Sequence, residues 1–484
     1  MELLAILIAL VFLMWAAYRG WSILVLAPLA ALIAALLSGQ PLMANWTITF
    51  MRSAASFISH YFPLFLLGAL FGKLMDDSGS LKTIADFMTI KLGPRRAVLA
   101  VVLAGTLVTY GGVSLFVAFF VLAPMAHALF RAGNVPQHLM PAAVLLGTST
   151  FTMTALPGTP AIQNAIPIPF FKTTPFAAPG LSLLAAAVML MFGIWWLGMA
   201  EQRARRRGLG YTAGCSDPHD SAVETPLVRE RATASREFDP VELHRGSLAS
   251  RKPGIVAAVL PLCVVVAGNL AISLAVLPHL DGSYLSDPRW AGTTLAEIGG
   301  VWAVLIALAA AIASLLLLHW RRIGSVRDSV AAGANAAALP VLSVASLVGF
   351  GAVVGTLPAF AMVRDWVLGI NGGPLVSLAV ATNVLAALTG SASGGLTIAL
   401  DALSGVYLNL AQTIGLDPAL LHRISVMSAG TLDSLPHNGA VVSLLAVCGV
   451  THKEGYPDMV MVGIVGPVLA LVVTIALGSA WGAF

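Results

Sequence analysis

The chain has 484 residues, of which 58% are hydrophobic and 10% are charged, and its mean hydropathy is +0.90. These values exclude an ordinary soluble domain and indicate an integral membrane protein that has the lipid bilayer as its main partner. The net charge of +4 is explained by basic loops next to membrane segments, so it predicts no nucleic-acid partner.

Apolar segments of spanning or near-spanning length follow one another along the chain. They cover residues 3–18, 21–38, 55–72, 177–199, 254–277, 297–319, 334–351 and 459–482. Each is close to the length that an α-helix needs to cross a bilayer. The first lacks a basic n-region and a small-residue cleavage site, so we predict a retained helix and not a signal peptide.

Four further apolar stretches are interrupted by Gly, Pro and hydroxyl residues. They cover residues 97–130, 139–170, 375–412 and 420–450. We predict that the first and third are re-entrant hairpins, which turn near YGG (110–112) and SASGG (391–395). The second and fourth are predicted to be transmembrane helices that unwind over 147–165 and 428–440. Because non-helical backbone survives in a bilayer only where protein or water satisfies it, the four interruptions should meet in one protein-lined site.

The basic residues predict the orientation of the chain. If Arg19 is cytoplasmic, the basic segments 73–96 and 200–252 fall on the same side and both termini lie outside. The polar stretch 200–252 has no periodic apolar pattern, so we interpret it as a disordered cytoplasmic linker. It separates a first membrane repeat, residues 1–199, from a second over residues 253–484.

The two membrane repeats resemble each other in sequence. One constant shift places TALPGTPAI (154–162) on DSLPHNGAV (433–441), and a slightly larger one places YGGVSLF (110–116) on SGGLTIA (393–399). With the predicted orientation, equivalent helices run in opposite directions, as in many secondary transporters. The predicted fold is therefore an all-α integral membrane protein with inverted repeats, two re-entrant helical hairpins and two broken transmembrane helices.

The predicted substrate site takes its residues from all four interruptions. They are Gly111, Gly112, Ser114, Ser149, Thr150, Thr154, Gly158, Thr159, Ser391, Ser393, Gly394, Gly395, Thr431, Ser434, His437 and Asn438. Freed helix ends offer N–H groups to a carboxylate, while freed carbonyls and hydroxyls suit a cation. A single Ser or Thr in a membrane helix more often bonds to its own backbone, so the clustering carries this prediction. Because every Lys and Arg lies at or near a segment end or in a loop, we expect no basic partner for the anion at mid-depth.

Ionisable residues at membrane depth are costly and indicate function. Asp433 and His437 lie in the second unwound segment, where the first repeat has Thr154 and Gly158, and Asp401 lies beyond the tip of the second hairpin. A buried carboxyl or imidazole group can take up a proton on one side and release it on the other. All three are candidate proton-coupling residues, although Asp401 is equally compatible with a structural bond or exposure near the end of the hairpin.

Two motifs in the second repeat resemble those of a known transporter family. GSASGGLTIALDAL (390–403) and GTLDSLPHNGAVVSLLAVCGVTHKE (430–454) resemble the gluconate permease (GntP) family of bacterial proton-coupled carboxylate symporters, within the ion-transporter superfamily. Gluconate-carrying members have a Ser-His-Val-Asn-Asp-Ser type of run where this chain has LPHNGA (435–440). That form looks more like the branch for short hydroxy acids such as 3-hydroxybutyrate.

The resemblance implies symport of a small hydroxy- or sugar-acid anion with protons at the bacterial inner membrane. It also implies a homodimer that works by an elevator movement. The transported partners are then a small carboxylate and protons, with sodium as the alternative coupling ion, and we expect no cofactor and no metal site.

Two other functional classes are alternatives to a proton-coupled symporter. A sodium-coupled di- or tricarboxylate carrier, similar to a citrate carrier, fits the same scaffold because carbonyls and hydroxyls hold sodium well. An intramembrane enzyme fits less well because no nucleophile motif, HExxH pattern or phosphate loop accompanies the candidate residues. The three cysteines are too few and too scattered for a disulfide framework.

Overall fold

The computed structural model is built almost entirely from helices. It describes residues 2–19, 21–211, 239, 241–242, 245–246, 249, 251–290, 292–436 and 438–484. The helices are α1 (Glu2–Tyr18), α2 (Ile23–Leu37), α3 (Leu42–Asp77), α4 (Ser80–Leu92), α5 (Ala97–Tyr110), α6 (Leu115–Ala132), α7 (Met140–Thr148), α8 (Phe151–Thr154), α9 (Ile162–Ala165), α10 (Pro167–Phe171), α11 (Pro179–Arg206), α12 (Ile255–His279), α13 (Leu295–His319), α14 (Val326–Thr356), α15 (Pro358–Leu368), α16 (Gly373–Thr389), α17 (Ala392–Ile414), α18 (Pro418–Thr431), α19 (Gly439–Val447) and α20 (His452–Trp481). These residues contain no β-strand, which confirms the all-α class.

Seven helices of the described chain are long and apolar enough to cross a membrane. They are α3, α11, α12, α13, α14, α17 and α20. A bend of 100° separates α4 from the segment Pro94–Tyr110 that contains α5. The membrane protein expected from composition is thus confirmed, and the apolar segments coincide with helices. Which side each loop faces stays a prediction.

Two helices extend well beyond the apolar runs that predicted them. α3 spans 36 residues and α14 spans 31. Asn45 and Arg52 end the apolar run of α3 in the sequence, but the helix continues through them because local bonds satisfy the polar groups. Asn45 Nδ2, for example, donates to the carbonyl of Pro41 at 3.1 Å.

The helices of the two halves exchange contacts in equivalent pairs. α2 packs on α14 of the other half, and α13, the mate of α2, packs on α3, the mate of α14. In the same way α1 contacts α15 and α16, while its mate α12 contacts α4 and α5. Reciprocal contacts of this kind are expected for two halves related by a two-fold axis. That the axis lies in the membrane plane, as inverted repeats require, stays a prediction.

The long helices α3 and α14 pack closely along a seam of small residues. A Cβ added at Gly333 would lie 3.0 Å from Leu70 Cα, and one at Gly349 would lie 2.9 Å from the ring of Phe50. Small residues are what allow helices to approach so closely in membranes. Beside this seam, Lys73 Nζ lies 2.9 Å from Asp77 Oδ1, and both side chains are buried.

Residues near the end of the polar stretch 200–252 pack on the same two helices. The backbone N–H of Asp239 donates to the carbonyl of Ala336 at 2.8 Å, the carbonyl that Pro340, four residues on, cannot pair. The N–H of Ala249 donates to the carbonyl of Asp77, also at 2.8 Å. These bonds join the stretch to both halves of the protein.

The start of the stretch is helical. α11 continues to Arg206, past the boundary expected at 199, because Gln, Arg and Ala are good helix formers and basic residues are favoured at a helix C-terminus. Residues 212–238 lie outside the described residues, and the prediction of a disordered linker concerns mainly them.

Both predicted hairpins are helix–turn–helix units with contacting arms. α5 ends at Tyr110 and α6 begins at Leu115, with Gly112 at φ +97° in the turn between them. α16 and α17 are joined by Gly390, at φ +62°, and Ser391. The second turn therefore lies slightly before the expected SASGG tip, because a left-handed glycine followed by an N-cap serine starts α17 at once.

Both predicted broken helices are interrupted where the sequence indicated. The first has a break over 155–161, between α8 and α9, and the second a break over 432–438, between α18 and α19. The first helix is also interrupted at Ser149 and Thr150, which separate α7 from α8. This extra interruption was not predicted separately from the longer unwound segment.

Candidate functional site

Asp433 lies where the second break meets the second hairpin. Its side chain is 1% exposed, and Oδ1 accepts hydrogen bonds from the backbone N–H of Ala392 at 3.0 Å and from Nδ2 of Asn438 at 2.6 Å. Ala392 is the first residue of α17, so the carboxylate faces the positive end of a helix dipole. The fold thus compensates a buried carboxylate with neutral donors at a helix start.

Asn438 links Asp433, the turn of the second hairpin and the start of α19 by hydrogen bonds. Besides Asp433, its Nδ2 donates to the carbonyl of Gly390 at 2.9 Å, and its Oδ1 accepts from the N–H of Ala440 at 2.8 Å. It therefore caps α19 and holds the hairpin turn at the same time. This bonding uses both ends of the amide, so its first role in this structure is to position the break.

The start of α17 is fixed by short polar and backbone contacts. Ser391 Oγ accepts from the N–H of Gly394 at 3.2 Å and lies 3.4 Å from Ser393 Oγ. A Cβ added at Gly395 would lie 2.3 Å from Ala386 Cα in the other arm. Gly395 is therefore needed for close packing of the hairpin arms, and its contact with a substrate stays a prediction.

A small cavity lies between the first hairpin turn and the first break. Its volume is about 40 Å³, and its lining includes Gly112, Ser114 and Thr159. Ser114 Oγ, Thr152 Oγ1 and Gln163 Oε1 have no hydrogen-bond partner among the described residues, and all three side chains belong to this lining. Such a volume holds a few waters or an ion but not an organic acid.

Several of the predicted hydroxyl groups donate to their own helices. Thr150 Oγ1 donates to Leu146 O at 2.8 Å, Thr154 Oγ1 to Thr150 O at 3.1 Å, and Thr431 Oγ1 to Met427 O at 2.8 Å. Their hydrogens are occupied, but each oxygen keeps acceptor capacity. These threonines thus suit a cation or a substrate hydroxyl, and a carboxylate would rely more on backbone N–H groups.

The two broken helices touch each other. A Cβ added at Gly430 would lie 2.4 Å from Thr154 Cγ2, so the two broken helices meet there without space for a larger residue. α9, directly after the first break, also packs on α17 of the second hairpin. The two broken helices therefore contact each other and the second hairpin, while the meeting of all four interruptions in one site stays a prediction.

Arg423 is a buried basic residue that the sequence reasoning missed. Its side chain is 0% exposed, and its guanidinium donates to Thr154 O at 3.2 Å, Asn164 Oδ1 at 3.2 Å and Ala177 O at 3.1 Å. Sequence reasoning placed Arg423 near a segment end and did not predict this burial; that no basic side chain partners the anion at mid-depth stays a prediction. The repeat contained a signal for this burial. The position equivalent to Arg423 in the first half is Val144, an apolar residue that is itself buried.

Asp401 does not join the Asp433 cluster. It lies on α17 nine residues after Ala392, about 14 Å along the axis at the helical rise of 1.5 Å per residue. It lines a separate cavity of about 680 Å³ with Arg52 and Ser53. His437 lies outside the described residues.

The remaining predicted residues are buried and have structural contacts. Gly158, at φ +73°, donates its N–H to Pro175 O at 2.9 Å, and its carbonyl accepts from Asn269 Nδ2 at 2.9 Å. Ser149 Oγ lies 3.2 Å from Thr148 Oγ1. The carbonyl of Ser434 accepts from Tyr456 OH at 3.2 Å.

Gly111 packs on α12. A Cβ added there would lie 2.4 Å from Leu262 Cδ2. The described residues contain no group of three or more His, Cys, Asp or Glu side chains that could hold a metal ion.

Comparison with known proteins gives three likenesses. The family model described as GntP family permease matches residues 1–168. The uncharacterized transporter YxjC of Bacillus subtilis (strain 168) is 38% identical over 466 residues, which is 95% of each chain. The high-affinity gluconate transporter of Escherichia coli (strain K12) is 30% identical over 140 residues, 28% of this chain and 30% of its own.

One solved structure is similar in fold over nearly the whole chain. It is MtrF of Neisseria gonorrhoeae, described as illuminating a class of antimetabolite efflux pumps. It covers 95% of this chain and 94% of its own, with a TM-score of 0.53 and 14% sequence identity. At that identity the likeness concerns the fold alone.

Proposed function

The chain belongs to the GntP permease family, and we propose that it imports a small organic carboxylate together with protons. Its relatives are transporters and not enzymes, and it is itself a multi-pass transporter of the bacterial inner membrane. The proposed substrate is a hydroxy or sugar acid such as gluconate or 3-hydroxybutyrate. Inverted repeats, re-entrant hairpins, a homodimer and an elevator movement complete the proposal.

The buried carboxyl group of Asp433 is the observation that carries this proposal. It lies at the junction of a helix break and a hairpin turn, two kinds of interrupted backbone that membrane proteins tolerate only where protein buries it or where it lines a water-filled cavity. Its charge repels a carboxylate nearby until a proton arrives. Protonation and anion binding are then cooperative, as a symporter requires.

The proposed anion site lies between the small cavity of the first half and the cluster around Asp433. The starts of α6, α17 and α19 present N–H groups there, and the break residues from Thr431 to Asn438 contribute polar atoms. Helix starts of at least one full turn favour a negative charge. The anion would then lie within reach of Ser149, Thr150 and Thr154 of the first half.

The membrane potential favours coupling of anion uptake to a cation. Bringing one negative charge inward against a negative-inside potential costs about 2.3 kcal/mol per 100 mV. One proton per monocarboxylate removes that cost and adds the driving force of the pH gradient.

Uptake by the purified protein in liposomes tests the proposal. Labelled gluconate, 3-hydroxybutyrate, succinate and citrate are each offered with an inward proton gradient, with an inward sodium gradient, or with neither. We expect the first or second acid to accumulate with the proton gradient alone. Accumulation that needs sodium, or no accumulation of any of the four acids, would contradict the proposal.

A sodium-coupled di- or tricarboxylate carrier is the second candidate. The unpartnered oxygens of Ser114, Thr152 and Gln163 around the small cavity favour it, since neutral oxygens at this density suit a dehydrated monovalent cation. The sodium arm of the same experiment distinguishes the two candidates.

A further inference from the structure

The hairpins and broken helices cover residues 97–171 and 373–447, of which all but residue 437 are described. Among these described residues, two Asp, Glu, Lys or Arg side chains are buried. They are Arg423, 0% exposed, and Asp433, 1% exposed. The other charged residues of these ranges are exposed: Arg131, Asp401 and Asp417. The buried part of these elements therefore contains one positive and one negative side chain.

Arg423 holds its charge without a carboxylate partner in the described part of the chain. No Asp or Glu oxygen lies within 4.0 Å of its guanidinium there. Backbone carbonyls and Asn164 Oδ1 accept its hydrogens. A guanidinium does not lose its proton in proteins, so this charge is constant through a transport cycle.

Arg423 and Asp433 lie on the same broken helix. Arg423 is eight residues before the end of α18 at Thr431, so the backbone positions of the two residues are about 12 to 15 Å apart along the chain at a rise of 1.5 Å per residue. Arg423 donates to the carbonyl of Thr154, the last residue of α8 before the first break. Its charge is thus on the first-half side of the proposed anion site, and that of Asp433 is on the second-half side.

We propose that Arg423 is the fixed countercharge that makes coupling obligatory. The inference rests on the proposed function and adds its charge balance. With Asp433 ionised and no substrate, the buried charges sum to zero. With a proton on the Asp433 carboxyl oxygen and one carboxylate bound, they again sum to zero.

The two half-loaded forms carry a net charge. A proton alone leaves one positive charge, and an anion alone leaves one negative charge. A net charge in a low-dielectric, membrane-embedded core is costly, so only the empty and the doubly loaded forms cross readily. One proton and one monocarboxylate then cross together, the O–H bond formed at Asp433 on one side is broken on the other, and no net charge moves.

Four titratable groups of the described residues lie near Arg423 or Asp433. One is Tyr110 of α5, which interacts electrostatically with Arg423 and whose OH donates to Pro157 O at 2.8 Å. His452 Nε2 lies 3.0 Å from Pro436 O, and Tyr456 OH donates to Ser434 O, both from α20. His422 Nε2 lies 3.3 Å from Asn164 Oδ1, beside Arg423. His437 lies outside the described residues, so the His437→Gln variant is included in every measurement below to fix its contribution.

The first test uses the wild type and its response to voltage. Proteoliposomes with a fixed pH gradient take up labelled gluconate or 3-hydroxybutyrate while a potassium gradient with valinomycin sets the potential at zero or about 100 mV of either sign. We expect initial rates that differ by less than about twofold among the three potentials. A proton-driven uptake that the potential accelerates more than about tenfold would overturn the charge balance but not the proposed function.

The second test separates the two charges by mutation. Asp433→Asn leaves the empty form positive and the anion-loaded form neutral, so we expect exchange of substrate within about threefold of the wild type. Net uptake by this variant should be driven by an inside-positive potential. Arg423→Gln makes the doubly loaded form negative, so we expect exchange to fall at least about tenfold.

Two controls separate charge from shape. Arg423→Lys keeps the positive charge with fewer hydrogen bonds and should exchange substrate faster than Arg423→Gln. Arg289→Gln makes the same chemical change at an exposed loop residue that pairs only with Asp287, and should exchange at the wild-type rate. Exchange by Arg423→Gln as fast as by the wild type would overturn the proposal.

A failure of Arg423→Gln to fold leaves the voltage measurement on the wild type as the decisive test. If the wild type accumulates no acid with a proton gradient, the proposed function itself fails. Proton-driven but voltage-accelerated uptake means that only the charge balance fails. The two failures are therefore distinguishable.

Discussion

Asn438 donates from Nδ2 to Oδ1 of Asp433 at 2.6 Å, across five positions of the second break. The same nitrogen donates to the carbonyl of Gly390, in the turn of the second hairpin. A proton on the carboxyl group would remove the negative charge that strengthens this hydrogen bond and would leave Oδ1 a weaker acceptor for Asn438. We infer that the protonation state of Asp433 is linked to the way in which the break holds the hairpin turn.

Replacing Asn438 by Ala should weaken both the fold and the site. It removes the cap of α19, which typically contributes about 1 kcal/mol, and it leaves Asp433 with one donor fewer. We expect a lower unfolding temperature in detergent and a higher substrate concentration for half-maximal exchange. Asn383→Ala is the matched control, because Asn383 Nδ2 donates within its own helix, to Ala379 O, and its Oδ1 has no partner among the described residues. Equal unfolding temperatures and equal apparent affinities for both variants would contradict the role given to Asn438.

Thr150→Ala should weaken substrate binding with little effect on stability. Thr150 Oγ1 donates to the carbonyl of Leu146, a local bond worth about 1 kcal/mol or less in net terms, while its oxygen remains an acceptor for a substrate hydroxyl. Substrate-induced shifts of the unfolding temperature measure the affinity. Thr413→Ala, with the same local bond to Asn409 at an exposed site, controls for the helix. An unchanged shift for Thr150→Ala would remove this residue from the site.

Gly395→Ala should separate the arms of the second hairpin. The added Cβ would lie 2.3 Å from Ala386 Cα, an overlap that costs roughly 1 to 3 kcal/mol in a packed core. Gly405→Ala on the same helix meets nothing within 4 Å and should stabilise the protein by up to about 1 kcal/mol. Thermal unfolding of both variants decides the matter. If Gly395→Ala is as stable as Gly405→Ala, the arms do not pack as described.

The small cavity gives opposite predictions for its two possible roles. Thr152→Val keeps the shape and removes a hydroxyl oxygen that lacks a partner among the described residues. If the cavity binds no ion, removal of this buried group should leave stability unchanged or raise it by about 1 to 3 kcal/mol. If the cavity binds sodium, the wild type should be stabilised by sodium chloride relative to choline chloride, and Thr152→Val should lose that difference. We expect the first result.

Cysteine labelling tests the inverted arrangement. In a chain whose three natural cysteines are replaced by Ser, Ser283→Cys reports on the loop 278–296, and Lys91→Cys on the segment 73–96; both positions are exposed. We expect an impermeant maleimide to label Ser283→Cys in intact cells and Lys91→Cys only after lysis. The opposite pattern would reverse the orientation. Labelling of both positions in intact cells would refute the inverted repeats.

The sequence predicted those features of the site that depend on backbone chemistry. Gly112, Gly390 and Pro436 interrupt helices by their own conformational preferences, so the turns and breaks were predictable from residue type. The burial of Asp433 was predictable for the same reason, since it lies within such a break in an apolar stretch.

Side chains that act across long sequence separations were harder to predict. Arg423 lies in a helix near a segment end, and only its packing against Thr154 and Ala177 of the other half shows that it is buried. Asp401 lies near the hairpin turn in sequence, yet it is about 14 Å further along α17 than Ala392, the residue that contacts Asp433. Neither outcome follows from local pattern, because both depend on how the two halves pack.

The central claim is that the proton that drives uptake binds to Asp433. The measurement that tests it most directly compares wild type and Asp433→Asn in liposomes, with labelled gluconate or 3-hydroxybutyrate and an inward pH gradient at zero membrane potential. We predict that the wild type accumulates the acid, whereas Asp433→Asn exchanges it across the membrane but does not accumulate it. If Asp433→Asn accumulates the acid to the wild-type level, Asp433 does not carry the proton, and Asp401 becomes the residue to test.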